Sequence, residues 1–358
     1  MKNVNSNEND VKIIKVNKII KIIELFRYLI SLIFILKSIP LLSGNVILKN
    51  ARVLSSFSEI TITINGTGTQ TFLNTQKIRL NDNKYYEFPY RPSEILVDDE
   101  LVNNTLYYVE NLTNNLTNIT IRFNVSIEKL DVMFYGLTNI INIYFNNFDT
   151  SQVTSMRSMF SECSSLISLD LSDLNTGLVT DMNQLFYNCK SLESLELNNF
   201  DTSKVNNMNE MFNECSKLTS LNIDSFDTSS VTSMNKLFKN CISLKEIIIN
   251  DMNTSLVTNM EEIFSNCKAL SSFNLSKFDT SSVTSMKSMF YECQNLLSVD
   301  LSNIDTSKVE KIDYMFFDCK VLKEIDFSRF SSSSINSMSY LFKNCAGLTS
   351  INLSGFNT

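Results

Sequence analysis

The stretch Phe226-Asp-Thr-Ser-Ser-Val-Thr-Ser-Met-Asn-Lys-Leu-Phe-Lys-Asn-Cys241 decides the fold, because close copies of it recur along the chain at a constant spacing. Every cysteine has a Phe three residues before it and a Leu three residues after it. Successive cysteines are 26 residues apart, at Cys163, Cys189, Cys215, Cys241, Cys267, Cys293, Cys319 and Cys345. An unbroken period of this length predicts a solenoid, in which each unit packs on its neighbours.

The first half of each unit has the hydrophobic spacing of a helix. Met156, Met159, Phe160 and Cys163 fall at positions i, i+3, i+4 and i+7, which predicts one apolar face of a short helix. Residues suited to an N-cap precede this run, namely Ser155, Asp181, Asn207, Ser233, Asn259, Ser285 and Ser337, whereas Lys311 is not suited. The Met, Phe and Cys columns are therefore predicted to lie in the core.

The second half of each unit has the spacing L-x-x-L-x-L, as at Leu166, Leu169 and Leu171. This spacing predicts a strand whose alternate residues point inward and leave Asp170 in solvent. The predicted fold class is therefore an α/β leucine-rich-repeat parallel solenoid, with a short helix plus a strand in each 26-residue unit. At roughly 4.8 Å between strands, the units form a strand-lined face on the order of 40 Å long.

The chain divides into three predicted segments. Residues 1–44 contain lysines followed by the apolar run Tyr28 to Leu36, a pattern typical of a signal peptide or a signal-anchor. Residues 45–126 show alternating stretches such as Glu59 to Ile64 and predict a small β-rich domain. This domain carries six N-glycosylation sequons, which begin at Asn65, Asn103, Asn111, Asn115, Asn118 and Asn124. Residues 127–358 form the solenoid, with one degenerate and eight full units.

Two observations argue against catalysis and nucleic-acid binding. The chain has no His, so the commonest general base and the commonest imidazole ligand are both missing, and it has no phosphate-binding glycine loop. The formal net charge is −7, and basic clusters outside the N-terminus are few, which argues against a nucleic-acid partner. We therefore expect a protein that is not an enzyme and needs no cofactor.

The cysteine column favours neither metal binding nor disulfides. Zinc sites need two cysteines within a few residues of each other, and these cysteines are 26 residues apart. Helices packed roughly 8–10 Å apart would also place equivalent cysteines beyond the reach of a disulfide bond. Buried free thiols that act as small hydrophobic side chains are the expectation.

A line of polar residues is predicted on the strand face. These residues are Asp170, Glu196, Asn222, Asn274, Asp300, Asp326 and Asn352, with Ile248 interrupting them. They could coordinate calcium or meet a basic partner, and a solvated polar face explains them equally well. Because solenoids bind through exposed strand residues, this line is the candidate ligand face.

The repeated segment Phe226 to Cys241 resembles the BspA-like leucine-rich-repeat surface proteins, which include repeats of the mycoplasma surface-protein type. The resemblance spans roughly residues 127 to 358. It implies a secreted or surface-attached adhesion protein with no catalytic activity and no cofactor. The family has no universal binding motif to transfer, and this chain has neither a C-terminal sorting motif nor a lipobox cysteine near Gly44.

The functional expectation is a non-catalytic extracellular or cell-surface protein that presents its solenoid face to a protein or glycan ligand. An intracellular leucine-rich-repeat scaffold for protein–protein interaction is the alternative, since reduced cysteines fit it equally well. Membrane contact is expected only through the N-terminal segment, if it is not cleaved. The last full unit keeps apolar residues such as Met338 and Leu353, so self-association through this end, or a natural chain that continues past Thr358, is also expected.

Overall fold

The computed structural model of the protein describes residues 58–102, 106–249 and 252–356, and these residues form β-strands and turns. The strands are β1 (Ser58–Asn65), β2 (Gly68–Thr71), β3 (Ile78–Arg79), β4 (Tyr85–Tyr86), β5 (Glu94–Val97), β6 (Glu100–Val102), β7 (Tyr108–Leu112), β8 (Leu116–Phe123), β9 (Ile140–Asn146), β10 (Ser168–Asp170), β11 (Ser220–Asn222), β12 (Glu246–Ile248), β13 (Ser272–Asn274), β14 (Ser298–Asp300), β15 (Glu324–Asp326) and β16 (Ser350–Asn352). Within these ranges the one helix is a 3-10 turn, Leu275–Lys277. The predicted segment 1–44 lies outside the described residues.

The N-terminal strands follow the alternating pattern of the sequence. In β1, Ile60, Ile62 and Ile64 are fully buried while the residues between them are half-buried, because successive strand side chains point to opposite faces. The sheet order is β10-β9-β1-β8-β5-β6. The strand predicted over Glu59 to Ile64 is confirmed as β1.

Strand β9 joins the N-terminal strands to the solenoid. It pairs antiparallel with β1 and parallel with β10, with Ile143 opposite both Ile62 and Leu169. The buried side chains on both sides of β9 belong to one hydrophobic cluster. An uncovered strand edge would expose unpaired backbone groups, and β1 covers this edge of the first coil.

A buried arginine fastens the hairpin of β3 and β4 to the solenoid. Arg157 Nη2 lies 3.2 Å from Asp82 Oδ2, and Nη1 donates to Asp181 Oδ2 at 2.9 Å. The guanidinium lies over the Tyr86 ring, 4.7 Å from its centroid, and Tyr86 Oη donates to Asp82 at 2.6 Å. Because a buried charge is costly without partners, these contacts together stabilise the attachment of the hairpin.

The prediction of a helix in each unit is wrong. The segment Met156 to Cys163 is a succession of turns, and the described chain contains no α-helix at the equivalent positions of other coils. Its backbone amides donate to the next coil, as from Ser158 to Asn183 at 2.9 Å and from Phe160 to Leu185 at 3.0 Å. The protein is therefore a parallel β-solenoid, and the α/β leucine-rich-repeat fold class is corrected accordingly.

Backbone conformation explains why no helix forms. Ser158 and Glu162 have φ values of 52° and 65°, in the left-handed region that is incompatible with a right-handed helix. This conformation costs roughly 1–2 kcal/mol per residue, and the inter-coil hydrogen bonds offset that cost. Asn and Asp tolerate it best and occupy the second left-handed position of several coils, as Asn188, Asn240, Asn266, Asp318 and Asn344. The apolar spacing nevertheless identified the buried residues correctly, because Met156, Phe160 and Cys163 are all buried.

The predicted N-cap residues pair instead with the next coil. Together with Lys129 and Lys311, they form parallel bridges in the order Lys129, Ser155, Asp181, Asn207, Ser233, Asn259, Ser285, Lys311 and Ser337. Side-chain capping does occur, since Asp181 Oδ1 accepts the amide of Asn183 at 2.8 Å. The capped segment is a turn rather than a helix, and the bridges form a second ladder along the solenoid.

Three columns of buried side chains hold the coils together. Ring stacking links Phe134, Phe160, Phe186, Phe212, Phe238, Phe264, Phe290, Phe316 and Phe342, with centroids 5.4 to 5.8 Å apart. All eight cysteines are free, and each Sγ lies 2.9 to 3.1 Å from the carbonyl of a Phe in the preceding coil. Buried Thr hydroxyls donate to the following coil, as from Thr228 to Asn253 at 2.9 Å.

The last described coil is less well covered than the interior coils. Met338, Ile351 and Leu353 are 46%, 42% and 50% exposed, whereas their equivalents in the interior coils are buried, as Met234 is, or half-buried. Phe342 and Cys345 are half-buried. The apolar side chains predicted for this coil are therefore partly exposed to solvent.

Candidate functional site

The polar residues predicted for the ligand face lie along the strand side of the solenoid. Six are exposed and Asn222 is half-buried; the exposed ones are Asp170, Glu196, Asn274, Asp300, Asp326 and Asn352. Strand register brings Asn274 opposite Asp300, and Asp326 opposite Asn352. In the strand register Asp170 pairs with Tyr144 and Asn222 pairs with Ile248.

Most of these side chains also stabilise the turn that follows their strand. Asp170 Oδ1 accepts the amide of Ser172 at 3.0 Å, which is an Asx turn. The same bond, at 2.8 to 3.1 Å, is made by Asn222, Asn274, Asp300, Asp326 and Asn352. The Asx turn fixes one oxygen of each side chain at a repeated position, and all of these residues except the half-buried Asn222 remain exposed to solvent.

The Asx turns at these positions were not anticipated from the sequence. The available signal was the recurrence of Asp or Asn two residues before Ser, as at Asp170 and Ser172 or at Asp300 and Ser302. The backbone amide and hydroxyl of the serine lower the pKa of Asp170, and those of Ser302 lower the pKa of Asp300. The carboxylates of Asp170 and Asp300 are consequently ionised at neutral pH.

Glu196 departs from this pattern. Its longer side chain makes no Asx turn in the described structure, and its Oε2 instead lies 3.4 Å from Asn198 Nδ2. The segment around it, residues 194–196, is not a strand, although the equivalent segments Ser168–Asp170 and Ser220–Asn222 are strands. Ile248, the other departure, lies in a paired strand, as its β-branched side chain favours.

A cavity of about 460 Å³ lies between the first and second full coils at this point. Its lining includes Ile167, Asp170 and Leu195 together with Glu196 and Asn199. Within the described chain, no backbone hydrogen bond joins residues 193–197 to residues 167–171. The strand ladder is therefore interrupted beside β10, and the cavity forms a cleft at this interruption.

The side chain of Asn199 closes one end of this cleft. Its Nδ2 donates to the carbonyl of Leu171 at 2.8 Å, and lies 3.3 Å from the carbonyls of Ser172 and Leu174. Several other coils are joined on the strand face by backbone bonds, as from Ile167 to Ile141 at 2.8 Å and from Lys245 to Thr219 at 2.9 Å. Strands β12 and β13 do not pair either, and neither do β14 and β15, so the cleft is one of several interruptions of the strand ladder among the described residues.

The described residues contain no group of three or more Cys, Asp or Glu side chains that could hold a metal ion. They also contain no helix long and apolar enough to cross a bilayer. Burial raises the pKa of the thiols of Cys163, Cys215 and Cys293 to about 12, so these thiols stay protonated at neutral pH. The strand face is therefore the best-defined candidate for function in this part of the chain.

Comparison with known proteins gives a family for this chain. No curated protein matches the chain. A family described as "Mycoplasma protein of unknown function, DUF285" matches three times, over residues 103–221, 193–272 and 270–358. The matches together cover more than half of the sequence and follow the repeats. The chain belongs to this Mycoplasma repeat family.

Proposed function

We propose that the protein is a non-catalytic secreted or cell-surface binding protein that presents the strand face of its solenoid to a protein or glycan ligand. The observation that carries the proposal is the line of exposed carboxylates and amides, held by Asx turns in coil after coil. Side chains fixed in this way lose little conformational entropy on binding, which favours recognition. The stacked coils give the face a regular spacing.

The adhesion role and the surface location rest on the sequence. The resemblance of the repeated segment to BspA-like surface proteins supports adhesion, and the basic and apolar segment 1–44 supports export. Exposed sequon asparagines, such as Asn65 and Asn111, fit a surface that could carry glycans. An intracellular scaffold is the alternative, and the mass of the mature N-terminus separates the two, because a scaffold would retain residues 1–44.

Array binding tests the proposed function directly. The full chain is applied to arrays of oligosaccharides and of extracellular matrix proteins, and a double variant, Asp300→Asn with Asp326→Asn, is compared with it. Asn keeps the Asx acceptor but removes the charge, so we expect weaker binding with an unchanged fold. Asp227→Asn is the matched control, since Asp227 makes the same kind of turn in another loop, to the amide of Ser229.

Two results would contradict this function. One is a chain that binds no member of either array. The other is a mature protein that keeps its N-terminal 44 residues and remains in the cytosol.

A second copy of the chain is a further proposed partner, through the last described coil. Ile351 and Leu353 expose apolar surface there, and β16 pairs on one side only within the described chain. Light scattering tests this contact: we expect Leu353→Glu to reduce self-association. A protein that stays monomeric over a wide concentration range would contradict it.

A further inference from the structure

The cleft between β10 and residues 193–197 has the composition and the exposed backbone of a peptide site. We propose that it binds an extended polypeptide segment carrying Lys or Arg side chains, which adds a strand beside β10. This inference rests on the proposed binding function and names a site and a partner class for it. Three observations carry it: the interrupted ladder, the charge of the cleft and the spacing of its side chains.

In most coils the residue equivalent to Glu193 donates a backbone bond to the preceding coil, and among the described residues only Glu193 and Ser271 make no such bond. Ile167 donates to the carbonyl of Ile141 at 2.8 Å, but no described backbone bond joins Glu193 to Ile167. On its other side, the segment has one long backbone bond, from Thr219 to the carbonyl of Glu193 at 3.4 Å. Unpaired strand edges of this kind accept an added strand, whose main chain supplies the missing hydrogen bonds.

The charge of the cleft selects a cationic segment. Asp170 and Glu196 are in its lining, and the lining contains no Lys or Arg. The pKa of Asp170 is lowered by its bonds to Ser172, so this carboxylate is charged at neutral pH. A Lys or Arg side chain placed between the two carboxylates would be complementary to them.

The alternation of the lining fits an extended chain. Ile167 is 51% exposed, and Leu169 is half-buried, so apolar contacts alternate with Ser168 and Asp170 along the edge. Residues 167–172 span roughly 20 Å when extended, enough for a peptide of about six residues. Basic side chains at alternate positions would then lie on the same side as the carboxylates.

The opening coincides with a change of residue type at position 196. Asp170 and Asp300 make Asx turns, and each is the last residue of a regular strand. Glu196 makes no such turn in the described structure, and the segment before it is not a strand. We expect Glu196→Asp to restore the turn and to close the ladder while keeping the negative charge. Glu196→Gln should leave the ladder open, since it keeps the side-chain length, but it removes the negative charge.

The test measures fluorescence anisotropy of a labelled Lys-Val-Lys-Val-Lys-Val peptide with the full chain, and hydrogen exchange of the chain with and without peptide. We expect saturable binding and slower exchange in residues 167–171 and 193–197. A peptide N-methylated at its valines should bind roughly tenfold more weakly, because it lacks main-chain donors. Glu196→Asp and Glu196→Gln should each weaken binding severalfold, whereas Glu246→Gln, an exposed acid on paired β12, should not.

Several results would overturn the proposal. If the N-methylated peptide bound as tightly as the unmethylated one, charge alone would attract the peptide to the chain. Protection of the same amides by an uncharged oligosaccharide, but not by the peptide, would mean that the ligand class is wrong. Failure of the peptide to bind, while an array ligand still binds elsewhere on the strand face, would end this inference and leave the proposed function standing.

Discussion

An interior coil and the last described coil have nearly the same residues at equivalent positions but very different environments. Phe238 is buried and stacks between Phe212 and Phe264, at 5.5 and 5.7 Å. Phe342 is half-buried and has one neighbour of its own column, Phe316, at 5.8 Å. The same contrast applies to the cysteines of the two coils. The position of a coil in the stack, rather than the residue type, therefore sets how much each side chain contributes to the stability of the fold.

The largest expected effect is the loss of an interior ring. Phe238→Ala should lower the free energy of unfolding by about 3–5 kcal/mol, because it leaves a cavity between two stacked rings. Phe342→Ala is the matched control and should cost clearly less, since water already reaches that ring. Urea unfolding of the two variants measures the difference. Equal losses would mean that the stack does not set the contribution of each ring.

Thiol labelling should separate the same two coils by reaction rate. Cys345 is half-buried, whereas Cys241 is buried, and desolvation raises the pKa of both thiols. Because the thiolate is the nucleophile, labelling should speed up as the pH rises towards and beyond 9, the usual value. Mass spectrometry after a pulse of iodoacetamide should find Cys345 modified first, with the other seven modified only after unfolding. Simultaneous modification of all eight would contradict the contrast.

A smaller effect is expected from the buried Thr hydroxyls. Thr228→Val removes the bond from Oγ1 to the carbonyl of Asn253 and should cost about 1 kcal/mol, because that carbonyl loses a partner. Thr349→Val removes a similar bond to Lys323 in an exposed position of the last coil. Its cost should be near zero, since water can replace the hydroxyl. Thermal melts compare the two, and the prediction fails if Thr349→Val is the more damaging.

The smallest effect concerns pH. The folded-state pKa of Asp300 lies below the usual 3.8, owing to its bonds with Ser302. A lowered pKa adds stability that is complete above the unfolded value and is lost as the pH falls through the folded value. Asp300→Asn keeps the acceptor but cannot titrate, so its stability should fall less than that of the parent protein between about pH 4 and pH 2. Parallel acid titrations followed by circular dichroism would show overlapping curves if the bond did not persist in solution.

The sequence predicted the buried residues well and the backbone poorly, and the segment Met156 to Cys163 shows why. Spacing reports which side chains share a face, and these side chains are indeed buried. A helix and a run of turns can both satisfy that spacing. The choice depends on acceptors one coil away, such as the carbonyl of Asn183 for Ser158, which local pattern does not reveal.

The candidate ligand face was predicted as a line of exposed residues, and the structure places them along one side. The Asx turns of Asp170 and Asp300 were within reach of the sequence, since each precedes a Ser by two residues. The cleft at Glu196 could not be predicted from the sequence, because it depends on the absence of pairing between two coils. The available signal for the cleft was Glu196 itself, a Glu at a position where most other coils have Asp or Asn.

The sequence by itself determined the 26-residue register, the Phe, Cys and Leu columns and the parallel stacking, because an apolar stripe that one unit cannot bury must be shared with the next. Only the tertiary structure decided that turns replace helices, that β1 covers the first coil, and that the strand ladder opens beside β10. These features depend on hydrogen bonds between residues about 25 or more positions apart. Local spacing carries the periodicity of a solenoid, and only the assembled coils determine where each backbone amide finds its acceptor.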